Sequence, residues 1–276
     1  MIEYCLFPVA GYGTRFLPVT KSVPKELLPI LNKPLIHYAM EEAFGAGIRS
    51  FLFINNKDKK SIENYINGNT ALEKILSNKP EKELLKDLNK ITSECNSHFE
   101  YQKEMLGLGH AILQGEKRIA RGTFAVILPD DLCHNQGLSI ISQLKTLHDK
   151  FPDKCIVAVE EVDFSNVERY GIIGGSFIDK EKKIYQVDKM IEKPKTEYAP
   201  SNMAIIGRYI LTSEVFKKLK AIKKDKRGEI QITNALNALA KEGKVLAYKF
   251  DGLRIDCGSV DGFVEANNFF YSLLKK

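Results

Sequence analysis

The chain of 276 residues has no Cys-x-x-Cys pair, and its five cysteines (Cys5, Cys95, Cys133, Cys155 and Cys257) are scattered and odd in number. This spacing excludes a disulfide framework and a clustered zinc site, and it fits a reducing compartment. Long hydrophobic runs are also missing. The first residues carry Glu3 and only a short apolar stretch, so neither a signal peptide nor a membrane span is expected and the cytoplasm is the expected location. No basic run is interleaved with aromatic residues. The net charge of +6 sits largely in scattered pairs such as Lys59-Lys60, Lys217-Lys218 and Lys223-Lys224, which read as solvated faces. A small anionic substrate is therefore expected, and neither nucleic acid nor membrane as a partner. Linkers and internal repeats are absent as well. With 44% hydrophobic and 28% charged residues, the length suits one large α/β domain or two small ones.

Two common phosphate loops are missing too. No Gly-x-x-x-x-Gly-Lys-Ser/Thr loop occurs. Gly11 and Gly13 begin a dinucleotide fingerprint, but its third glycine position holds Phe16, and Pro18 and Pro24 interrupt the long helix that should follow. What is present is Pro8-Val9-Ala10-Gly11-Tyr12-Gly13-Thr14-Arg15-Phe16-Leu17-Pro18, and then Pro24-Lys25-Glu26-Leu27-Leu28-Pro29. Glycines let backbone N–H groups converge on an anion, and a guanidinium and a lysine can neutralise a polyphosphate. A plain turn after a buried strand explains Gly-x-Gly alone. Arg15 and Lys25 in the same proline-braced segment favour a nucleoside triphosphate site.

The pattern around this loop is α/β. Residues 2–9 read as a buried strand, Pro34 opens a helix with Ile36, Met40, Ala43 and Phe44 on one face, and residues 50–55 form the next strand. This β-loop-α-β opening implies a parallel sheet. Residues 57–95 read as a helical excursion, with one helix at Leu72, Ile75 and Leu76 and another after Pro80. Strands are expected at 99–102 and 124–128, with a helix at 109–118 between them. The second half is richer in strands (156–160, 171–178, 184–191, 203–211), with helices after Ser213, over 229–241 and after Ser259.

Several polar groups close these elements. Asp130 and Asp131 follow the strand 124–128, and Asp256 follows a short apolar stretch before a helix. Ligands bind at the carboxyl ends of parallel strands, and a hard cation bridging phosphates takes one or two carboxylates. Each acid alone is equally a turn or capping residue. Gln102 precedes Gly107, and a side-chain amide suits the Watson–Crick edge of a pyrimidine where a glycine lets the base approach. His110 reads as a structural residue at the start of a helix. Glu192-Lys193-Pro194 closes the strand 184–191; it suits sugar hydroxyls and a sugar phosphate, or merely a charged turn.

Together these segments resemble the sugar-phosphate nucleotidyltransferases, and within them the bacterial UTP–glucose-1-phosphate uridylyltransferases. Further matching pieces are Gly107-Leu108-Gly109-His110-Ala111, Tyr170-Gly171-Ile172, residues 199–209, Glu229-Ile230-Gln231-Ile232-Thr233 and Asp256-Cys257-Gly258-Ser259. They stand in family order along nearly the whole chain. The resemblance implies a Rossmann-like mixed, mostly parallel sheet flanked by helices. It implies a single nucleotidyltransferase domain over 1–276, with residues 1–135 holding UTP and a β-rich half, 136–276, holding glucose 1-phosphate. It further implies that Arg15 and Lys25 act in catalysis, and that Ala10, Gly11, Gly13, Thr14, Glu26, Gln102 and Gly107 bind the nucleotide. Gly171, Glu192, Lys193 and Asn202 would hold the sugar phosphate, and Asp130 and Asp256 would hold Mg²⁺. The implied product is UDP-glucose and the implied assembly a homo-oligomer, touching through the excursion and the last helix. Asn234 stands where the family commonly has Asp, and Asp131 beside Asp130 leaves the choice of metal ligand open. A thymidylyltransferase, or a silent nucleotide-sugar-binding regulatory subunit, are the rival expectations.

Overall fold

The computed structural model describes residues 2–68, 70–181 and 183–275. Strand β1 (Ile2–Pro8) runs into the glycine loop, a small ribbon β2 (Pro29–Ile30) and β3 (Lys33–Pro34) follows, and α1 (Leu35–Gly45) leads to β4 (Ser50–Asn55). The excursion holds α2 (Lys60–Asn67), α3 (Thr70–Leu76), a 3₁₀ turn (Pro80–Leu85) and α4 (Lys86–Glu94). After it come β5 (Asn96–Tyr101), α5 (Gly107–Gln114), α6 (Glu116–Ile119), β6 (Thr123–Ile127), β7 (Asp131–His134) and α7 (Ile140–His148). The second half has β8 (Cys155–Glu161), β9 (Gly171–Asp179), β10 (Ile184–Glu192), β11 (Met203–Thr212), α8 (Glu214–Ala221) and α9 (Ile232–Ala240). It ends with β12 (Val245–Lys249), β13 (Leu253–Asp256) and α10 (Val260–Leu274).

Nine strands form one sheet in the order β5-β4-β1-β6-β11-β8-β12-β10-β9. Alternation along the strands divides the core. Cys5, Phe7, Phe51 and Phe53 face one side, against Ile36 and Met40 of α1 and Ile141 and Leu144 of α7. Leu6, Leu52 and Ile54 face the other, against Ile112 of α5, Phe216 of α8 and Leu236 of α9. Strands buried on both faces are why these runs read as continuously apolar. Each fully buried Phe or Leu contributes about 1.5–3 kcal/mol.

The mixed, helix-flanked sheet expected from the sequence is present. Its parallel pairing is confined to β5-β4-β1-β6 and to β8–β12, whereas β11 joins β6 and β8 antiparallel, and β10 joins β9 and β12 antiparallel. The sheet is thus parallel over β5-β4-β1-β6 rather than mostly parallel throughout. The helix expected from Glu229 begins at Ile232 instead. Ile230 is held out of the helix by its N–H to Leu106 O (2.8 Å) and its carbonyl to Gly109 N (2.9 Å). A Cβ on Gly109 would sit 2.5 Å from that carbonyl, so only glycine permits the contact. β7 and β13 pair antiparallel outside the main sheet and place Asp131 opposite Asp256. Leu132, Ile255 and Cys257 pack there with Ala266 of α10.

Candidate active site

The carboxyl ends of β5, β4, β1 and β6 lie side by side and present Gln102, Asn56, the loop after Pro8, and Asp130. Val9 N–H donates to Ile54 O (2.9 Å) and Gln102 N–H to Asn55 O (2.9 Å), which pins the neighbouring ends together. Gly13 is left-handed (φ 64°), and Thr14–Phe16 then winds one 3₁₀ turn. A Cβ on Gly13 would stand 3.0 Å from Cβ of Lys25, so glycine is required both by backbone and by the lysine packed on it. Thr20 Oγ1 donates to Gly13 O (2.9 Å) and closes the loop. Gly11 has open space where a side chain would stand, and Ala10 is buried beneath it.

Four charged residues meet across this loop. Lys25 Nζ lies 2.5 Å from Asp130 Oδ2. A Cβ built on Gly258 would lie 3.0 Å from Asp256 Oδ1, 3.2 Å from Asp130 Oδ2 and 3.6 Å from Arg15 Nη1. Arg15 also reaches the Gly258 carbonyl at 3.5 Å. Burial opposes the charge on Lys25, but Asp130 and Glu26 outweigh it and push its pKa up to about 12. Burial would raise Asp130, yet Lys25 holds it below the ordinary carboxylate range.

Asp131 is committed elsewhere. Its Oδ2 accepts from Gly207 N (2.7 Å) and its Oδ1 from Arg254 Nε (2.8 Å), with Arg254 Nη2 closing a second bond to the same oxygen. Asp130 is therefore the acid of the pair that faces the loop. Arg254 gathers the surroundings: Nη1 donates to Glu160 (3.1 Å) and to Tyr170 Oη (3.2 Å), and Nη2 lies 3.8 Å from Asp256. The sequence contained Arg254 but gave it no role, because Asp131 and Glu160, which its guanidinium binds, are distant in the chain.

The base end of the loop corrects the reading of Lys59 as part of a solvated pair. Lys59 is buried and donates to Val9 O (2.9 Å), to Gly11 O and to Glu26 Oε2 (2.9 Å). Glu26 is 1% exposed, and its other oxygen, Oε1, is sealed without a protein partner among the described residues. Burial raises the Glu26 carboxyl against the pull of Lys59, and lowers the Lys59 amine against the pull of Glu26. No motif marks a lysine 33 positions from its glutamate. Gln102 is buried nearby, its Nε2 donating to Gly107 O (3.3 Å).

A second group lies where β9 and β10 begin and end. Gly171 pairs with Glu192. Thr233, at the start of α9, donates to Glu192 Oε2 (2.6 Å), and a Cβ on Gly171 would fill the space beside both. Lys193 has a positive φ of 46°, with its N–H on Tyr170 O (2.9 Å) and its Nζ 3.9 Å from Glu192. Tyr170 thus joins Lys193 to Arg254 and the acids. Asn202 is not joined to this group by its amide, whose Nδ2 donates to Val162 O (2.9 Å). Asn234 is exposed on α9. A groove of about 1340 Å³, lined by residues such as Tyr65, Ile66 and Leu88, lies under the excursion, away from these charges.

A divalent cation fits the donors at Gly258. Oxygens of two carboxylates on separate elements, Asp130 and Asp256, lie close to one point beside Gly258, which suits a hard cation that completes its shell with phosphate oxygens and water. Among the described residues no set of three or more acidic, His or Cys side chains forms a fuller cage.

Comparison with known proteins agrees with this geometry. The family model described as nucleotidyl transferase matches residues 9–272. A UTP–glucose-1-phosphate uridylyltransferase of Pseudomonas aeruginosa is 48% identical over 278 aligned positions, covering 100% of this chain and 98% of the relative. One of Staphylococcus haemolyticus is 42% identical, over 96% of this chain and 90% of the relative. A crystal structure of a UDP-glucose pyrophosphorylase complexed with UDP-glucose superposes with a TM-score of 0.90 at 46% identity, covering 99% of each chain. A glycine loop, a lysine paired to a strand-end aspartate and a full-length family match leave one conclusion: the chain belongs to the nucleotidyl transferase family.

Proposed function

We propose that the chain transfers the uridylyl group of UTP to glucose 1-phosphate, giving UDP-glucose and pyrophosphate. The observation that carries this reading is the meeting of Asp130, Asp256 and Arg15 around Gly258, with Lys25 paired to Asp130. The full-length relatives named for this reaction supply the substrates.

In this reading the loop Ala10–Thr14 and Arg15 hold the triphosphate through backbone N–H groups and the guanidinium. Glu26, Gln102 and Gly107 surround uridine, and Gly171, Glu192 and Lys193 hold the sugar phosphate. The sugar phosphate oxygen attacks the α-phosphorus in line while the bond to the pyrophosphate oxygen breaks. No protein nucleophile is required, because such reactions are driven by positioning and charge neutralisation. Lys25, kept cationic, opposes the charge that develops on the α-phosphate. Asp130 and Asp256 would hold Mg²⁺, whose contribution when bound is to neutralise phosphate charge.

The division of labour between residues 1–135 and 136–276 within one domain, and a homo-oligomer formed through the excursion and α10, belong to the same proposal. Exposed Ile75, Leu84, Val264, Tyr271 and Leu274 supply apolar surface on those two elements, and light scattering tests the assembly. No helix among the described residues is long and apolar enough to cross a membrane. A panel of UTP, dTTP and CTP against glucose 1-phosphate and galactose 1-phosphate, read by pyrophosphate release, tests the substrates. The expected result is greatest turnover with UTP and glucose 1-phosphate; preference for dTTP would make it a thymidylyltransferase.

A further inference from the structure

We infer that His110 is a positioning residue for base selection, fixing the side-chain amide of Gln102 so that its carbonyl oxygen faces the base. This rests on the proposal that Gln102 meets uridine. Gln102 Nε2 lies 3.0 Å from His110 Nδ1 and 3.3 Å from the Gly107 carbonyl. A backbone carbonyl only accepts, so the amide group beside Gly107 must be the NH₂ end. Its second hydrogen then points to Nδ1, which must be the unprotonated nitrogen of the ring. Both hydrogens of the amide are spent inside the protein.

Oε1 is what remains. It has no protein partner among the described residues and is not among the sealed polar atoms, so it is the one atom of this amide left for a ligand. On the far side of the ring, Gln114 Nε2 lies 3.1 Å from His110 Nε2 and 3.1 Å from His110 O. A neutral imidazole cannot accept at both nitrogens. With Nδ1 accepting, Nε2 carries the proton and cannot also accept from Gln114; the His110 carbonyl holds the inward end of the Gln114 amide as NH₂, so the half-buried Gln114 must swing off the ring, a movement that the buried Gln102 cannot make.

An acceptor facing the base has a chemical consequence. Uracil presents N3–H, which Oε1 accepts. Cytosine presents a lone pair at the same atom, so two acceptors would face each other in a half-closed site. A site that leaves a polar group unpaired rejects the wrong ligand far more strongly than one that merely loses packing. Were the amide free to rotate, its NH₂ could serve cytosine, and the preference would weaken.

The test is the ratio of UTP to CTP binding, measured by calorimetric titration so that turnover is not needed. His110→Phe keeps the ring but removes the acceptor; the ratio is expected to fall by about ten-fold or more. His110→Asn restores an acceptor near the Nδ1 position and is expected to recover much of the preference. Both are checked for cooperative unfolding, and the asparagine variant keeps the test decisive if the phenylalanine variant does not fold. Equal weakening of both nucleotides in a folded His110→Phe protein would mean a merely structural role and would overturn the inference. A folded His110→Asn protein with no preference would overturn it as well. Wild-type protein that binds neither nucleotide would instead overturn the underlying functional reading.

Discussion

Lys25 Nζ sits 2.5 Å from Asp130 Oδ2, across 105 residues of chain. The contact joins the loop after β1 to the end of β6, two adjacent parallel strands. It keeps the lysine cationic at neutral pH and ties it to the acid that lies beside Gly258. Replacing Lys25 by Ala is expected to lower kcat/KM by about 10²–10³-fold, the scale on which one preorganised donor acts. Circular dichroism and cooperative unfolding should remain native-like.

Removing the partner tests the electrostatics directly. In Asp130→Asn the burial that opposes the lysine charge meets less resistance, so the Lys25 pKa must fall from about 12. Acylation near pH 8, read by mass spectrometry, should label Lys25 faster in the variant than in the wild type. The sign for stability follows from the same shifts. The Lys25 contribution is complete below its unfolded value of 10.5 and is lost as pH rises through about 12. The Asp130 contribution is complete above its unfolded 3.8 and is lost as pH falls through the lowered folded value. Between about pH 5 and 9 the pair should contribute no pH dependence to Tm.

The neighbouring acids should separate cleanly. Asp131 and Arg254 are 12% and 8% exposed, and every Asp131 oxygen has a protein partner. Asp131→Asn is therefore expected to cost about 3–5 kcal/mol in urea unfolding, as when a buried pair loses one member. Asp130→Asn and Asp256→Asn should instead raise the Mg²⁺ concentration needed for half-maximal turnover.

Lys59 holds the loop from below. Lys59→Met leaves Glu26 buried without its cation and frees the Val9 and Gly11 carbonyls. A loss of about 3–5 kcal/mol is expected, with a raised KM for UTP. Adding Glu26→Gln should return part of the stability, because the uncompensated charge is then gone.

All five thiols are held protonated. Burial raises each of them, Cys257 to about 12 with Asp130 adding to the effect. Iodoacetamide at pH 8 should leave the native protein essentially unmodified and alkylate all five cysteines after denaturation. Rapid labelling of the native state would contradict the packing around them.

Local signals were legible where one segment carries its own reason. The glycine loop, the apolar strands 2–8 and 50–55, and the acids at strand ends could be found because strand burial and loop chemistry are written locally. The antiparallel second half was not legible as such, since pairing partners are set by the tertiary arrangement. Lys59, Arg254 and Thr233 were missed for a related reason: each acts on groups tens of residues away, and each looks like an ordinary surface residue in sequence. The start of α9 was misjudged because Glu229 and Ile230 favour a helix locally, while the bonds of Ile230 to Leu106 and Gly109, and of Glu229 to Asp225, keep both out of it.

The most direct measurement of the central claim is pyrophosphate release by the wild-type chain supplied with UTP, glucose 1-phosphate and Mg²⁺. The account predicts one pyrophosphate per UDP-glucose formed, no release when the sugar phosphate is omitted, and a collapse of the rate in Lys25→Ala. A folded protein that releases no pyrophosphate, or that turns over as fast without Lys25, would contradict it.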